Sequence, residues 1–374
     1  MDTNENINEN KNSYSNRSFR YMLTGAAIMI ATALITAVIF GQFIKRVNAV
    51  EEGNGRTYDQ HFVFVGEDID SELWDQVYEA ARAQAEKDNI YLEDIKESLK
   101  VNYSNEDLLR VAINSNVDGI IYVGSSSANT IKLINSAVDK GIGVCVLHND
   151  VDKSRRQCYV GVNNYELGQI YAQQILQMKE YDELLENRIA LLASGDMSEG
   201  AANLVILGME DYFDIAAAKA IGDTEDGQPA TDDEVAGPEI EVIKIDAADT
   251  FSVEEDIRNI FVTDEKLPDI MICLENAYTQ CVYQAVVDYN HVGEVNIIGY
   301  FANDDILDAI DKQIIYSAVS VDTEEMGKSS ILAIEELNEF GYTNSFMPVS
   351  MEIIGQQEAK ALLREAAREA EEEQ

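Results

Sequence analysis

Short apolar runs alternate with longer amphipathic segments along most of the chain. The runs are almost continuously apolar, which is typical of strands buried on both faces of a sheet. Between them, apolar residues recur at helical spacing, as at Leu73, Val77 and Ala81. The predicted strands cover residues 61–66, 119–124, 143–147, 189–193, 239–245, 269–273, 295–300 and 317–321. Strands that alternate with helices predict βαβ units, so the fold class is α/β with parallel sheets, and the series is long enough for two lobes.

One uncharged run near the N-terminus differs from this pattern. Residues 21–44 contain no charged side chain, and at about 1.5 Å per residue they are long enough to cross a bilayer core of roughly 30 Å. The hydrophobic part of a cleaved signal is usually only about 7–15 residues, so one N-terminal transmembrane helix is predicted. A cleaved signal ending near Ala49 is the alternative. The prediction is a single-pass protein of the cell membrane with a large extracytoplasmic domain.

Two polar segments interrupt the alternation without contributing to a core. Residues 222–237 are acidic and rich in turn formers, which predicts an exposed loop inserted in the second lobe. Residues 359–374 predict a charged C-terminal helix whose thin apolar stripe indicates a solvated helix rather than a docking one.

Charge and motif content exclude several classes of function. The chain has 69 acidic and 27 basic residues, a formal charge of −42 that would repel a phosphate backbone, so nucleic-acid binding is not expected. Its four cysteines form no Cys-x-x-Cys pair and there are only three histidines, so neither a metal site nor another cofactor is predicted. No catalytic motif is present, and an enzyme is not expected. Acidic pairs such as Asp304-Asp305 keep a carbohydrate-active enzyme as a lesser alternative.

Two longer segments carry a family resemblance. Residues 141–168 (GIGVCVLHNDVDKSRRQCYVGVNNYELG) and 297–327 (IIGYFANDDILDAIDKQIIYSAVSVDTEEMG) resemble the type 1 periplasmic binding proteins of the ribose/galactose group. The lactose-repressor ligand-binding domain shares this fold, but here the apolar run stands where a repressor has its helix-turn-helix. The resemblance extends over about 58–356. It implies two Rossmann-like lobes with parallel sheets, joined by a hinge of three crossovers, that close on a ligand.

The resemblance also sets the expected domain boundaries. We expect a disordered cytoplasmic tail, the membrane anchor and a stalk before two discontinuous lobes. These segments are 1–20, 21–44, 45–57, a first lobe of 58–163 plus 322–350, and a second lobe of 164–321 plus 351–358.

The ligand-contacting positions of the family fall on ten residues of this chain. They are Glu67, Ser71, Leu73, Trp74, His148, Asn149, Asp150, Asn276, Tyr300 and Phe301. Trp74 is the only tryptophan, and an aromatic face packs well on the C–H face of a sugar ring. A packing role for Trp74 and a core position for His148 are the alternatives.

Three positions depart from the ribose-type pattern. Val205, Phe301 and Val321 stand where the family has polar ligand-binding side chains, although Ser198, Glu199 or Asn203 would replace Val205 if the alignment shifts. Valine cannot replace a bidentate arginine clamp, so the pocket is expected to be more apolar and not specific for pentoses.

The sequence therefore predicts a membrane-anchored extracytoplasmic solute-binding protein that captures a sugar or sugar-like molecule. Its expected partner is an ABC permease. The alternatives are a ligand-sensing receptor that signals through a membrane sensor kinase, and a purely structural surface protein.

Overall fold

The computed structural model describes most of the chain after residue 56. The described residues are 29, 36, 50–51, 57–66, 71–99, 103–123, 127–195, 197–222, 237–246, 249–263 and 266–372. The chain divides into two compact units, 1–60 and 61–374. In the first unit, Val50–Glu51 pairs with Thr57–Tyr58 as a short antiparallel ladder.

Several predicted segments fall largely outside the described residues. The tail at 1–20 does so entirely, the apolar run contributes only Met29 and Thr36, and the acidic loop contributes only its two end residues. Among the helices that the structure describes, none combines the length and the apolarity needed to cross a membrane.

The first lobe of the larger unit is built on a six-stranded sheet. Its strands are β1 (Gln60–Val65), β2 (Ile90–Asp94), β3 (Gly119–Val123), β4 (Gly143–Leu147), β5 (Cys158–Gly161) and β11 (Met347–Pro348). Its helices are α1 (Ser71–Lys87), α2 (Ile95–Leu99), α3 (Asn105–Asn114), α4 (Ala128–Asp139) and α11 (Thr323–Phe340).

A second six-stranded sheet forms the other lobe. Its strands are β6 (Ile189–Ser194), β7 (Ile240–Ile245), β8 (Ile270–Cys273), β9 (Asn296–Tyr300), β10 (Ser317–Val321) and β12 (Met351–Ile354). Its helices are α5 (Asn164–Met178), α6 (Tyr181–Leu184), α7 (Glu199–Gly222), α8 (Thr250–Thr263), α9 (Asn276–Asp288), α10 (Asp304–Asp311) and α12 (Gln356–Glu372).

The two sheets repeat one strand order. The first reads β2-β1-β3-β4-β5-β11 and the second β7-β6-β8-β9-β10-β12. The central ladders are parallel, whereas β12 runs antiparallel to β10. In open parallel sheets of this kind, ligands bind outside the carboxyl ends of the strands. The topology therefore predicts that a ligand would contact residues that follow β1, β4, β8 and β9.

Burial explains why the apolar runs form strands. Every residue of β3, β4, β6 and β8 is buried, as expected for strands covered on both faces. One core cluster contains residues of both lobes, among them Phe62 and Trp74 of the first and Ile298 and Tyr300 of the second. The lobes thus share apolar packing where they meet.

Helix α5 packs against α7 at two glycines. A Cβ atom on Gly168 would lie 2.0 Å from the carbonyl oxygen of Val205, and one on Gly208 would lie 2.1 Å from that of Tyr165. No side chain fits at those distances, so the backbones of these helices approach as closely as they do only because both residues are glycine.

In the described residues, the chain passes between the lobes three times: after β5, after β10 and after β11. Hydrogen bonds join these crossovers. The Val349 amide donates to the Gly161 carbonyl at 3.0 Å, and the Asp322 amide donates to the Ser350 carbonyl at 3.0 Å. The hinge is therefore three adjacent connections held together by backbone bonds.

The C-terminal helix differs in part from the expected solvated helix. It begins at Gln356, and Ala359 is completely buried in the core of the second lobe, with Leu363 packed against it. The last described turns are exposed. Its first turns dock on the second lobe because the thin apolar stripe is enough to cover α10.

Candidate functional site

The carboxyl ends of β4 in the first lobe and of β8 and β9 in the second face one another. We call the space between these strand ends the cleft. His148 follows β4, Glu275 lies just beyond β8, and Phe301 follows β9. The cleft is thus the place where the fold predicts a ligand.

A direct hydrogen bond joins the lobes at this place. His148 Nε2 lies 2.8 Å from Glu275 Oε2, and their side chains are 9% and 15% exposed. Tyr159 Oη donates to the backbone carbonyl of His148 at 2.7 Å. Burial raises the pKa of Tyr159, so the hydroxyl keeps its proton and donates throughout the physiological range. The histidine is therefore fixed by groups from both lobes.

His148 also lies between two aromatic rings. Its ring centroid is 5.6 Å from that of Trp74 in an edge-on arrangement, and 5.6 Å from that of Tyr300 in a tilted one. Trp74 belongs to the first turn of α1 in the first lobe, and Tyr300 ends β9 in the second. The three rings form a continuous contact across the cleft, within the distances at which aromatic pairs attract.

Two residues at the cleft have unusual backbone conformations. His148 has φ 63° and Phe301 has φ 59°, which is the left-handed region. Such conformations cost non-glycine residues roughly 1–2 kcal/mol and are held only where their surroundings determine them. Both follow a central strand of their own sheet, so the same left-handed backbone conformation positions a ring on each side of the cleft.

A second hydrogen bond connects the lobes on the α1 side. Asn303 Nδ2 donates to Glu72 Oε2 at 3.0 Å, while Asn303 Oδ1 accepts the Ile306 amide at 3.1 Å. Asn303 therefore caps α10 and binds the opposite lobe with the same side chain.

The two polar residues after His148 have different environments. Asp150 forms a two-point ion pair with Arg156, whose Nη2 lies 2.6 Å from Asp150 Oδ2. Arg156 also donates to the Ser345 carbonyl at 2.9 Å and lies over the Tyr159 ring. The carboxylate of Asp150 is thus engaged within the first lobe, whereas Asn149 is half-buried at the cleft.

The cavity between the lobes is small. It has a volume of about 20 Å³ and is lined by residues that include His148, Asn149, Asp150, Ser198, Glu275 and Tyr300. That volume holds about one water molecule, whereas pockets for small ligands have about 300–1,000 Å³. A sugar can enter only if the lobes separate or the rings turn aside.

Two buried polar atoms of predicted site residues have no hydrogen-bond partner in the described part of the chain. They are Nε1 of Trp74 and Oδ1 of Asn276, in residues that are 4% and 3% exposed. A buried polar atom left unpaired costs roughly 1–3 kcal/mol. Each atom is therefore available to a hydroxyl group of a ligand.

The remaining predicted positions fall in three environments. Glu67 lies outside the described residues, and Ser71 begins α1. Leu73 is 2% exposed and packs in the core shared by the lobes. The three departures from the family pattern belong to that same core, namely Val205, Phe301 and Val321. Hence the side chains at these three positions are apolar and buried.

The sequence pattern did not identify Glu72 and Asn303 as site residues. The two are 231 positions apart; Glu72 lies in no motif, and Asn303 lies in the segment 297–327 but at none of its expected ligand-contacting positions. The available signal was Asn303 as a helix cap, since asparagine followed by Asp304-Asp305 is a typical start of a helix. Nothing local indicates that its amide reaches the other lobe.

Comparison with known proteins agrees with this geometry. Residues 62–339 match the family described as periplasmic binding protein domain. No curated protein matches the chain. Similar solved structures include GanP, a glucose-galactose binding protein from Geobacillus stearothermophilus. GanP is 22% identical with a TM-score of 0.62, and the match covers 80% of this chain and 98% of GanP.

Two further structures show the same fold. The XylFII–LytSN complex is 19% identical with a TM-score of 0.59, covering 80% of this chain and 98% of the matched one. An ABC transporter solute binding protein from Burkholderia graminis, in complex with D-arabinose, is 14% identical with a TM-score of 0.60. That match covers 80% of this chain and 96% of the other. At these identities the likeness establishes the fold alone.

The family match spans most of the larger unit and includes two of the three crossovers, but it ends before β11 and β12, the last strand of each sheet. Its members are binding proteins rather than enzymes, and a periplasmic binding domain is an extracytoplasmic one. The predicted two-lobe α/β fold with parallel sheets is thereby confirmed. The chain belongs to the periplasmic binding protein domain family.

Proposed function

We propose that this protein captures a sugar or sugar-like molecule in the cleft by hinge closure. The observation that carries the proposal is the contact of Trp74, His148 and Tyr300 across the two lobes. Aromatic rings from both lobes would enclose the apolar faces of a sugar ring. Separation of the lobes about the three crossovers opens the site, and closure on a ligand excludes water.

Polar groups around these rings complement sugar hydroxyls. Asn149 lines the cleft cavity, and the unpartnered Oδ1 of Asn276 and Nε1 of Trp74 supply one acceptor and one donor. The other proposed contacts are Glu67, Ser71, Leu73, Asp150, Tyr300 and Phe301. GanP and the Burkholderia graminis protein, which share the fold, are a glucose-galactose binding protein and a protein solved with D-arabinose.

The apolar positions narrow the ligand class. Val205, Phe301 and Val321 are 0%, 3% and 4% exposed and offer no side-chain hydrogen bond. A ligand with hydroxyls at every position would leave some of them unpaired, at roughly 1–3 kcal/mol each. We therefore expect a sugar derivative with an apolar substituent or a missing hydroxyl to bind more tightly than ribose.

We also propose that the protein acts at the membrane surface and together with a membrane partner. Residues 21–44 would hold the protein at the membrane, and residues 45–57 would form the stalk below lobes of 58–163 plus 322–350 and 164–321 plus 351–358. Delivery to an ABC permease is the favoured role. Signalling through a membrane partner is the alternative, and XylFII, which shares the fold, was solved in complex with a second protein, LytSN.

Calorimetric titration of the full-length chain in detergent micelles tests the proposal. The titrants would be hexoses, pentoses, deoxy sugars and alkyl glycosides. The expected result is saturable binding of at least one sugar that Asn276→Ala weakens and Asn259→Ala does not, since Asn259 is exposed on α8. If no titrant binds, or if the two variants behave alike, the cleft is not a sugar site.

Transport and signalling are separated by reconstitution. If the protein serves transport, its liganded form should stimulate ATP hydrolysis by an ABC permease. Stimulation of a membrane sensor kinase instead of a permease would support the alternative.

A further inference from the structure

A second cavity lies at the opposite edge of the second-lobe sheet from the cleft. It opens at the amino ends of β9 and β10, where Asn296 and Ser317 begin those strands. Helix α5 and the start of α12 form its other walls. Its volume is about 540 Å³, within the range of about 300–1,000 Å³ that is usual for small-molecule sites.

Two buried polar side chains line this cavity, Gln174 and Ser317. Gln174 is 3% exposed and belongs to the cavity wall on α5. Ser317 is 1% exposed, and no described group is bonded to its Oγ. Buried amides and hydroxyls are normally hydrogen-bonded, because desolvating them otherwise costs free energy. The unpaired Ser317 hydroxyl, in one cavity with the Gln174 amide, indicates that something other than this protein pairs with it.

The other polar side chains of the cavity keep free hydrogen-bonding capacity. Asn296 donates its Nδ2 to the Asp269 carbonyl at 3.2 Å, which leaves its Oδ1 as an acceptor. Gln356 donates its Nε2 to the Asp311 carbonyl at 2.9 Å, which leaves its Oε1. Amide oxygens and a serine hydroxyl together are complementary to ligand hydroxyls, which both donate and accept.

The charges around the cavity select a neutral ligand. No lysine, arginine or histidine occurs among its described lining residues, so an anion would have no counter-charge there. Its one carboxylate, on Glu358, accepts the Gly355 amide at 3.2 Å. A cation would therefore meet a single carboxylate that is already hydrogen-bonded. Isoleucines such as Ile310 and Ile315 supply apolar walls for the carbon skeleton of a ligand.

We propose that this cavity is a second ligand site, separate from the cleft, that takes a small neutral polyhydroxyl compound. Gln174 and Ser317 are its central hydrogen-bonding groups. The site belongs to the second lobe alone, so its occupancy does not require the lobes to close.

Ligand-observed saturation-transfer NMR on the full-length chain in detergent tests this, with glycerol, myo-inositol and sorbitol as probes at up to millimolar concentration. The variants are Gln174→Leu, which removes the amide at nearly constant volume, and Gln173→Leu, which changes the preceding residue of α5 and lies outside the cavity. Trp74→Ala changes a cleft residue, so it distinguishes binding in this cavity from binding in the cleft.

The expected result is a saturable signal from at least one polyol. Gln174→Leu should weaken that binding about tenfold, the effect of one lost buried hydrogen bond, whereas Gln173→Leu and Trp74→Ala should not change it. A signal absent from the parent, or one that Gln174→Leu and Gln173→Leu leave equally strong, would overturn the proposal.

Discussion

His148 of the first lobe and Glu275 of the second are 127 residues apart and lie 2.8 Å from each other across the cleft. The histidine is held at φ 63°, packed between Trp74 and Tyr300, and bonded through its carbonyl to Tyr159. A side chain held by so many contacts keeps one position, and its hydrogen bond to Glu275 holds the two lobes together. The bond closes the cleft over a cavity of about 20 Å³, so it competes with any ligand that needs the lobes apart.

Breaking the His148–Glu275 bond should shift the equilibrium between closed and separated lobes towards separation. Glu275→Ala removes a charge-assisted bond in a largely buried position, where such bonds contribute about 1.5–3 kcal/mol. We expect a larger radius of gyration in small-angle scattering of the detergent-solubilised protein. The control is Glu294→Ala, which removes the exposed His291–Glu294 pair at 2.7 Å within the second lobe. Equal scattering curves for Glu275→Ala and the parent would show that apolar packing and the Asn303–Glu72 bond close the cleft without this bond.

Trp74 should report ligand binding directly, because it is the only tryptophan of the chain. Its fluorescence should change on addition of a ligand, and Trp74→Ala should weaken binding by about 1–3 kcal/mol if the ring stacks on the ligand. Trp74→Phe, which keeps an aromatic ring and loses Nε1, should bind with intermediate affinity.

The control for the Trp74 variants removes an aromatic ring elsewhere in the first lobe. Tyr91→Ala removes a ring of β2 whose centroid lies 5.0 Å from that of the His61 ring. Tyr91 is not one of the cleft residues. Calorimetry and thermal unfolding would be measured for each variant. If Trp74→Ala binds like Tyr91→Ala while remaining folded, Trp74 is a packing residue.

The fold was largely predictable because its central strands are buried on both faces. The runs at 119–124 and 143–147 form β3 and β4, where every residue is buried. The pattern missed β2, β5, β11 and β12. Three of these, β2, β11 and β12, are edge strands that are either of mixed burial or only two residues long, so they give no continuous apolar signal.

The site was only partly predictable, since its main contacts are long-range. The family resemblance indicated His148, Asp150 and Asn276 as ligand-contacting positions, and the structure places them after β4 and β8. That Glu275 reaches His148, or that Glu72 reaches Asn303, depends on how the two lobes meet. Local periodicity carries no information about that, so the sequence does not identify Glu275 as the partner of His148.

Asn149 and Asn276 should act on the same ligand from opposite lobes. Each lies just past a strand end, and Oδ1 of Asn276 has no described partner. After closure, Asn149→Ala or Asn276→Ala leaves a ligand hydroxyl unpaired, at a cost of about 1–3 kcal/mol of binding free energy. Both variants should also compact less than the parent in scattering with ligand present. Either asparagine for which binding and compaction equal those of Asn259→Ala lies outside the site.

Glu93 should contribute a pH-dependent stability in the first lobe. The hydrogen bond with His61, at 2.9 Å, lowers the pKa of Glu93, although burial acts against it. A carboxyl with a folded pKa below the unfolded value of about 4.3 stabilises the fold above that pH. The stabilisation is then lost as the pH falls through the folded pKa.

Urea unfolding of the parent and of Glu93→Gln at several pH values measures this contribution. The difference in unfolding free energy should be constant near neutral pH and shrink in acid below about pH 4.3. Glu97→Gln, on the exposed side of α2, is the control and should differ little from the parent. A difference between parent and Glu93→Gln that persists unchanged in acid would mean that the effect is steric.

The apolar run at 21–44 should anchor the protein through its own helix. No charged residue interrupts it, and a span of that length crosses a bilayer core. The full-length protein should therefore remain in the membrane fraction through carbonate extraction. Replacing Leu34 and Val38 together by arginine places two charges near the middle of the run, at about 2.5–3.5 kcal/mol each, and should release the protein. The volume-similar pair Leu34→Ile and Val38→Ile should not. Recovery of the parent as a shortened chain beginning at Val50 would identify the run as a cleaved signal, because a retained anchor leaves the N-terminus intact.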